Sequence, residues 1–292
     1  MPKSGFAMVL HGGAGARRSR DYAAEIRHMQ GLIEAGRDRL KGGASAVEVV
    51  VETIGALEAS GLYVAGRGAS PNTAGRYELD ASLMDGATGL AGAVAALEGF
   101  ASPISVAQAV MQRTPHVMLA GDGASAFAQA NGFAPVIDPD LWFTRAGADE
   151  SNFAPGALAH GTVGCVVRDQ EGRLAAGTST GGVFNKLPGR VGDTPIIGAG
   201  TFADAHAAVS CTGQGEYFIR VAAAAQVAHR IRLAGQSLEQ ATAAVLAQIK
   251  ALGGEGGLIA IDARGQVTAP FVSEGMKRGV LHPDGRIEAA AF

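Results

Sequence analysis

Apolar positions along the chain fall into two rhythms. In residues 21–41, "DYAAEIRHMQGLIEAGRDRLK", Ile26, Met29, Ile33 and Leu40 recur near helical spacing. After "GGAS" the rhythm returns in 46–59 through Val47, Val50, Val51, Ile54 and Leu57, so two adjacent helices are predicted. "SPISVAQAVMQR" (102–113) adds a third, with Ser102 as N-cap and Pro103 at the first helical position. "GDGASAFAQANG" (121–132) reads as a short helix ending in Asn-Gly. Residues 215–233 read as one Ala-rich helix, and "SLEQATAAVLAQIKALGG" opens with a Ser237–Gln240 capping box.

The second rhythm is short and strand-like. "FAMVLHGG" (6–13) is a buried strand running into a Gly turn. "YELDASLMD" (77–85) and "LAGAVAALEG" (90–99) are strands inside and after a Gly-rich stretch. "TVGCVVRD" and "LAAGTSTGG" flank a turn with Gly172 and form a hairpin. "AHAAVSCTG" (205–213) is a strand, and two or three more follow in "GGLIAIDARGQVTAPFVSEGMKRGVL". Between the halves, residues 135–161 lose all period, as a functional or disordered loop does. Helices come in runs and so do strands. The predicted class is therefore α+β, with helices layered on mostly antiparallel sheets and not a doubly wound sheet.

Composition changes this picture little. Of 292 residues, 47% are hydrophobic and 17% charged, with a formal charge of −3, an ordinary globular balance. No basic stripe interleaved with aromatics points to nucleic acid. No segment reaches the apolar length of a membrane span, and the N-terminal apolar run is too short for a signal peptide, so a cytoplasmic protein is expected. Cys165 and Cys211 have neither disulfide nor metal spacing. The 43 glycines, about twice the usual share, imply tight turns and close backbone approaches.

Three stretches carry candidate chemistry. "HGGAG" (11–15) and "GTSTG" (177–181) look like an esterase oxyanion loop and nucleophile elbow, with Ser179, Asp262 and His282 as a triad. An elbow must lead into a helix, however, and "TGGVFNKLPGRVGD" is a poor one. "MLAGDGASA" holds a G-x-G-x-x-A pattern, a weak dinucleotide signal without a βαβ unit after it. The third is "AHGTVGCVVRD" (159–169), where a Thr follows a Gly at the end of the aperiodic loop. Attack of the Thr162 hydroxyl on the Gly161 carbonyl would free an α-amino group. Such an amine titrates at about 7.7–8.0 and activates the hydroxyl beside it. Gly at 161 offers no side chain to block the attack. A plain strand Thr is the competing reading.

The run "HGTVGCVVRD…AGTSTGG…KLPGRVGDTPIIGAGTFAD…CTGQGE" resembles the plant-type L-asparaginase and isoaspartyl aminopeptidase family. The likeness extends to "HGGAG", "YVAGRGAS", "YELDASLMDG" and "GGLIAID", nearly the whole chain. It implies an N-terminal-nucleophile hydrolase: a four-layer αββα sandwich in one domain, 1–292. The chain would cut itself between Gly161 and Thr162 into 1–161 and 162–292, with a mobile linker about 144–161. Two such heterodimers would pair.

By the same resemblance Thr162 is the nucleophile and Thr180 its activator. Arg190 and Asp193 grip the carboxylate and ammonium of the substrate. Thr212 and Gly213 form the oxyanion hole, and the Gly215 carbonyl supports the substrate amine. A structural sodium ion would be held by main-chain carbonyls of Leu57, Glu58, Ser60, Tyr63, Ala65 and Arg67, oxygens suited to a hard cation. The expected reaction is hydrolysis of β-aspartyl dipeptides and L-asparagine without a chemical cofactor. The alternatives are a glycosylasparaginase-like amidase and a non-maturing binding protein of the same fold. Val64 departs from the pattern, because relatives commonly carry Asn there and Val cannot hydrogen-bond. Gln214, between two glycines, is a second candidate modulator.

Overall fold

The computed structural model describes residues 5–146 and 161–292. Strand β1 (Ala7–Ala14) leads to helices α1 (Ala23–Lys41) and α2 (Ala46–Ser60) and a 3-10 turn at Gly66–Gly68. Then come β2 (Leu79–Asp85), β3 (Ala91–Leu97), α3 (Pro103–Arg113), β4 (Met118–Ala120), α4 (Gly121–Ala130) and α5 (Pro139–Trp142). The second half holds β5 (Val163–Arg168), β6 (Leu174–Thr180), β7 (Thr201–Ala203), β8 (Ala207–Gly213), α6 (Gly215–Val221), α7 (Ala223–Ala234) and α8 (Leu238–Ala251). It closes with β9 (Gly256–Asp262), β10 (Val267–Thr268), β11 (Met276–Leu281) and β12 (Ile287–Ala290).

These strands make two sheets. One has eight strands in the order β12-β11-β1-β5-β6-β2-β3-β4, the other four in the order β10-β9-β8-β7. All pairs are antiparallel except β3 with β4, which run parallel across α3. The expected α+β class holds, with helices on mixed and antiparallel sheets. Among the described residues no helix is long and apolar enough to cross a membrane.

Side-chain alternation explains how the sheets are covered. On β1, Met8 and Leu10 enter a core with Ile33, Val50 and Ile54 of α1 and α2. Their neighbours Ala7 and Val9 face the other way, against Ile259 and Ile261 of β9. On β8 and β9, Val209, Leu258 and Ala260 pack under Val227 and Val245 of α7 and α8. The sheets are therefore buried on both faces. The face shared by the two sheets is apolar at one end. Two residues further along, β8 passes from Ala208 to Ser210 and then Thr212, and β6 from Ala176 to Thr178 and then Thr180. All four of these hydroxyl residues are buried.

Several sequence expectations need correction. Ser102 does not cap α3 with its side chain. Its hydroxyl donates to Glu58 Oε2 at 2.5 Å, and the Ile104 N–H donates to Glu58 Oε1 at 3.0 Å. A carboxylate from α2 thus serves the N-terminus of α3. The helix expected over 215–233 is two helices, broken at Ala222 (φ 49°). The break lets the first N–H groups of α7 reach out: Ala224 donates to Ala199 O and Ala225 to Gly198 O. Strands β4, β7 and β12 are too short or too polar to read from period alone. A β3–α3–β4 unit does precede the G-x-G-x-x-A pattern, though β4 has three residues at the sheet edge. Most of the expected linker, 147–160, lies outside the described residues. Its first part is pinned, since Thr144 N donates to Arg67 O at 2.9 Å and its hydroxyl to Gly61 O at 2.7 Å.

Close helix–sheet packing generates a test. A Cβ at Gly92 on β3 would lie 2.1 Å from the Ala107 carbonyl oxygen of α3, whereas a Cβ at exposed Gly31 on α1 meets nothing within 4 Å. Gly92→Ala is expected to cost about 3 kcal/mol in urea unfolding. Gly31→Ala is expected to gain roughly 0.5–1 kcal/mol.

Candidate active site

Thr162 ends the chain segment that enters β5 and is 7% exposed. Its Oγ1 donates to the Gly161 carbonyl at 2.8 Å. Thr180, the last residue of the neighbouring β6, donates to the same carbonyl at 2.7 Å and lies 3.3 Å from Thr162 Oγ1. The Gly161 oxygen therefore takes two hydroxyl donors in a buried place, which polarises the C=O bond and makes its carbon more electrophilic. Thr180 itself accepts from the Gly182 N–H at 3.0 Å.

Two glycines make the junction fit. A Cβ at Gly161 would stand 2.4 Å from Val64 Cβ. Gly13 (φ +98°) brings the "HGGAG" backbone beside the junction, so a Cβ there would meet Gly161 Cα and Thr162 N at 3.2 Å. Val64 holds the neighbouring β6 end through its main chain. Its carbonyl accepts from Gly181 N at 2.8 Å. His11, from the same stretch, places Nδ1 3.2 Å from the Thr162 carbonyl and is fully buried. Burial lowers its pKa to about 3, with nearby Lys277 adding to the effect, so the ring is neutral.

A cleft of about 220 Å³, part of it open to solvent, is lined by Gly161, Thr162, Thr180, Gly182, Val183, Arg190, Gly192, Asp193, Thr194 and Gly213. Six residues named from the sequence thus meet in one place. Arg190 and Asp193 do not pair with each other. The Arg190 guanidinium holds Glu216 Oε1 through Nε at 3.0 Å and through a terminal NH2 at 2.8 Å. Asp193 is 4% exposed, and its Oδ2 has no hydrogen-bond partner among the described residues. Burial raises its carboxyl pKa to about 7, against the smaller opposing pull of its own backbone N–H and of Arg190.

Two expected residues sit just behind the cleft wall. Thr212 Oγ1 accepts from Ala14 N at 3.1 Å, which leaves its own proton to be aimed elsewhere. Gly215 lies under Asp193, where a Cβ would be 2.8 Å from Asp193 Oδ1. Gln214 turns away, with its Oε1 accepting from Glu255 N at 2.9 Å. The esterase residues do not meet. Ser179 donates to buried Glu58 at 2.6 Å, Asp262 binds Arg264 at 3.0 Å, and His282 lies 3.3 Å from Glu288. Sequence reasoning missed Glu216 as the Arg190 partner, although it directly follows Gly215. It also gave His11 no role beside Thr162.

Residues 4–150 and 143–290 match the family model described as asparaginase. The chain belongs to this family. It is 46% identical over 293 residues to a Salmonella typhimurium (strain LT2) isoaspartyl peptidase, covering 93% of each chain. It is 44% identical to the Escherichia coli (strain K12) isoaspartyl peptidase, over 93% of this chain and 91% of that one. A Bos taurus isoaspartyl peptidase/L-asparaginase is 38% identical over 94% of each. The resemblance read from the motifs therefore holds across the family's length.

The contact at Val64 can be measured directly. Gly161→Ala is expected to destabilise the intact chain by about 1–3 kcal/mol. In a Val64→Gly background most of that loss should vanish. A double-mutant cycle on thermal unfolding reads the coupling, expected above about 1 kcal/mol.

Proposed function

We propose that this chain is an autoprocessing Thr hydrolase that cleaves β-aspartyl dipeptides and hydrolyses L-asparagine. The observation that carries the reading is the Gly161 carbonyl, met by the Thr162 and Thr180 hydroxyls in the cleft shared with Arg190 and Asp193. The names of the relatives agree with it.

In maturation, Thr162 Oγ attacks the Gly161 carbonyl carbon and its proton passes to the Thr162 nitrogen. The C–N bond breaks and an ester forms. Water then hydrolyses the ester, leaving the Gly161 carboxylate and a free Thr162 amine. In turnover that amine takes the hydroxyl proton. Oγ attacks the side-chain carbonyl of the substrate, and the amine or ammonia leaves with a proton. Water hydrolyses the acyl-enzyme and restores Thr162. The Thr212 hydroxyl and Gly213 N–H face the developing oxyanion, donors worth roughly 3–4 kcal/mol each in such chemistry.

Specificity follows from charge. The Arg190 fork suits an α-carboxylate. Asp193 Oδ2, buried without a partner, suits the α-ammonium. A substrate held at both head groups must present its side-chain amide to Thr162.

The layered packing of helices on two facing sheets is assigned to the four-layer αββα sandwich of N-terminal-nucleophile hydrolases. Two processed heterodimers form the working unit, in the cytoplasm. A sodium ion fits the 57–67 loop. A Cβ at Gly66 would lie 2.8 Å from the Glu58 carbonyl oxygen, so the glycine keeps that oxygen open. The carbonyls of Leu57, Tyr63 and Ala65 each accept a hydrogen bond and retain a second lone pair, while that of Arg67 accepts from the Thr144 N–H at 2.9 Å with the Thr144 hydroxyl 3.4 Å away. With Glu58 and Ser60 they would hold the ion, which supplies rigidity and no chemistry.

Purified wild type should show two bands with a new amino terminus at Thr162, and Thr162→Ala one band and no turnover. Active enzyme that remains one intact chain overturns the mechanism. Rates on β-aspartyl dipeptides, free Asn and glycosylated Asn separate the peptidase from a glycosylasparaginase-like amidase.

The Asp193 carboxyl gives a pH test. Its folded pKa of about 7 stands above the ordinary aspartate value of 3.8, so the native state holds a proton that the unfolded chain has released. Its contribution to stability is present below pH 4 and lost as pH rises through 7. Asp193→Asn in the Thr162→Ala chain should gain roughly 2–4 kcal/mol at pH 8 and nothing below pH 4, by urea unfolding. In otherwise wild-type enzyme the same change should abolish turnover.

A further inference from the structure

A file of buried hydroxyls runs between the two sheets from the nucleophile to the substrate-binding segment. It begins at the Thr162 carbonyl, 3.2 Å from His11 Nδ1. His11 Nε2 lies 3.1 Å from Ser210 Oγ. Ser210 meets Thr178 at 2.7 Å, and Thr178 meets Thr201 at 2.5 Å. Thr201 meets Ser82 at 2.7 Å, and Ser82 donates to the Thr194 carbonyl at 2.6 Å. His11, Ser210, Thr178, Thr201 and Ser82 are all 0% exposed. They come from β1, β8, β6, β7 and β2, so the file stitches both sheets together. Its far end is the residue next to Asp193.

Gly164 on β5 is the clearance for the first links. A Cβ there would lie 2.1 Å from Ser210 Oγ and 2.3 Å from His11 Nε2. A glycine inside a buried strand is otherwise a weakness.

The hydrogens in this file do not suffice. Six contacts join two carbonyls through one imidazole and four hydroxyls. A neutral imidazole and four hydroxyls supply five hydrogens. One contact therefore lacks a hydrogen. Ser82 is the donor both to Thr201 and to the Thr194 carbonyl, so its single hydrogen is shared between two acceptors and the deficit falls there. The Thr162 carbonyl only accepts, which gives the other four contacts one direction of donation, from Thr201 to Thr178 to Ser210 to His11 to Thr162. The ring then accepts from Ser210 at Nε2 and donates from Nδ1 to the Thr162 carbonyl.

We propose that this hydroxyl file is a positioning relay, in which Thr178 and its neighbours fix the Asp193–Thr194 segment against Thr162. It rests on the reading that Thr162 and Asp193 serve one reaction. The relay predicts the response to one isosteric change. Thr178→Val removes the central hydroxyl and keeps the shape. Ser210 still donates to His11 Nε2, and His11 Nδ1–H to the Thr162 carbonyl. Thr201, Ser82 and Thr194 remain joined. No charge is left unpaired, so the variant should fold, but the two ends are no longer coupled.

The experiment compares Thr178→Val with Thr178→Ser by steady-state kinetics on a β-aspartyl dipeptide and by 15N NMR of His11. Thr178→Val is expected to raise KM roughly three- to tenfold, the worth of a lost hydrogen bond, with kcat changed less than about twofold. Thr178→Ser, which keeps the hydroxyl and loses the methyl, should stay within about twofold of wild type. The His11 tautomer should be Nδ1–H in wild type and in both variants. A Ser variant worse than the Val variant means packing alone and overturns the relay, as does an Nε2–H tautomer in wild type, which leaves the Thr162 carbonyl unmet. Wild type inactive on every β-aspartyl and Asn substrate would sink the functional reading instead, and the wild-type tautomer would still decide the relay.

Discussion

Everything at this site depends on the face that the two sheets share. Side chains on a strand alternate, so a threonine placed an even number of residues from a core position must face the same way. Thr180 stands four residues beyond core Ala176, and Thr212 four beyond core Ala208. Thr162 stands four before core Val166 on the strand between β1 and β6. Three threonines are thereby delivered to one end of a dry interface without any loop having to place them. The apolar end supplies the burial energy, and the hydroxyl end borrows the rigidity of the same strands.

That arrangement asks for polar groups where water is excluded, and they are satisfied in an uneven way. Most buried hydroxyls find a partner within the sheets. Asp193 Oδ2 does not, and burial raises the Asp193 carboxyl pKa to about 7. Glu58 is buried as deeply and also raised to about 7, yet it accepts from Ser102, Ser179 and the Ile104 N–H. The two carboxyls mark different uses of burial. Glu58 ties α2, α3 and β6 together, while Asp193 keeps an unmet acceptor beside the cleft, a strain typical of binding sites.

The sequence was most legible where period and turn chemistry agree. The helices from Ala23 and Ala46, the Ser237 capping box and the hairpin at Gly172 all carry such agreement. The edge strand β4 and the short β7 have only three residues each, fewer than a period needs. The Ala222 break was hidden because alanine favours helix, and only the docking of α7 on Gly198 and Ala199 imposes the left-handed residue. At the site, six cleft residues were readable from motifs, but their partners were not. Ser102 reads as a cap until Glu58 is brought beside it, and Arg190 reads as a partner for Asp193 until α6 presents Glu216. Local sequence gives the donor, and the acceptor comes from tertiary contact.

Val64 shows why a departure from a family pattern need not remove the local design. The carbonyl of residue 64, which any amino acid provides, accepts from Gly181 and lies 3.4 Å from Thr180 Oγ1. The end of β6 is therefore held irrespective of the side chain. What the side chain changes is the wall against Gly161, where Val64 Cβ and Cγ2 occupy the space that any larger residue at 161 would need. A branched apolar wall cannot hydrogen-bond, but it limits the positions open to a residue without a Cβ. Constraint by shape acts here on the Gly161 backbone, and the two hydroxyls on the Gly161 carbonyl remain in reach of it.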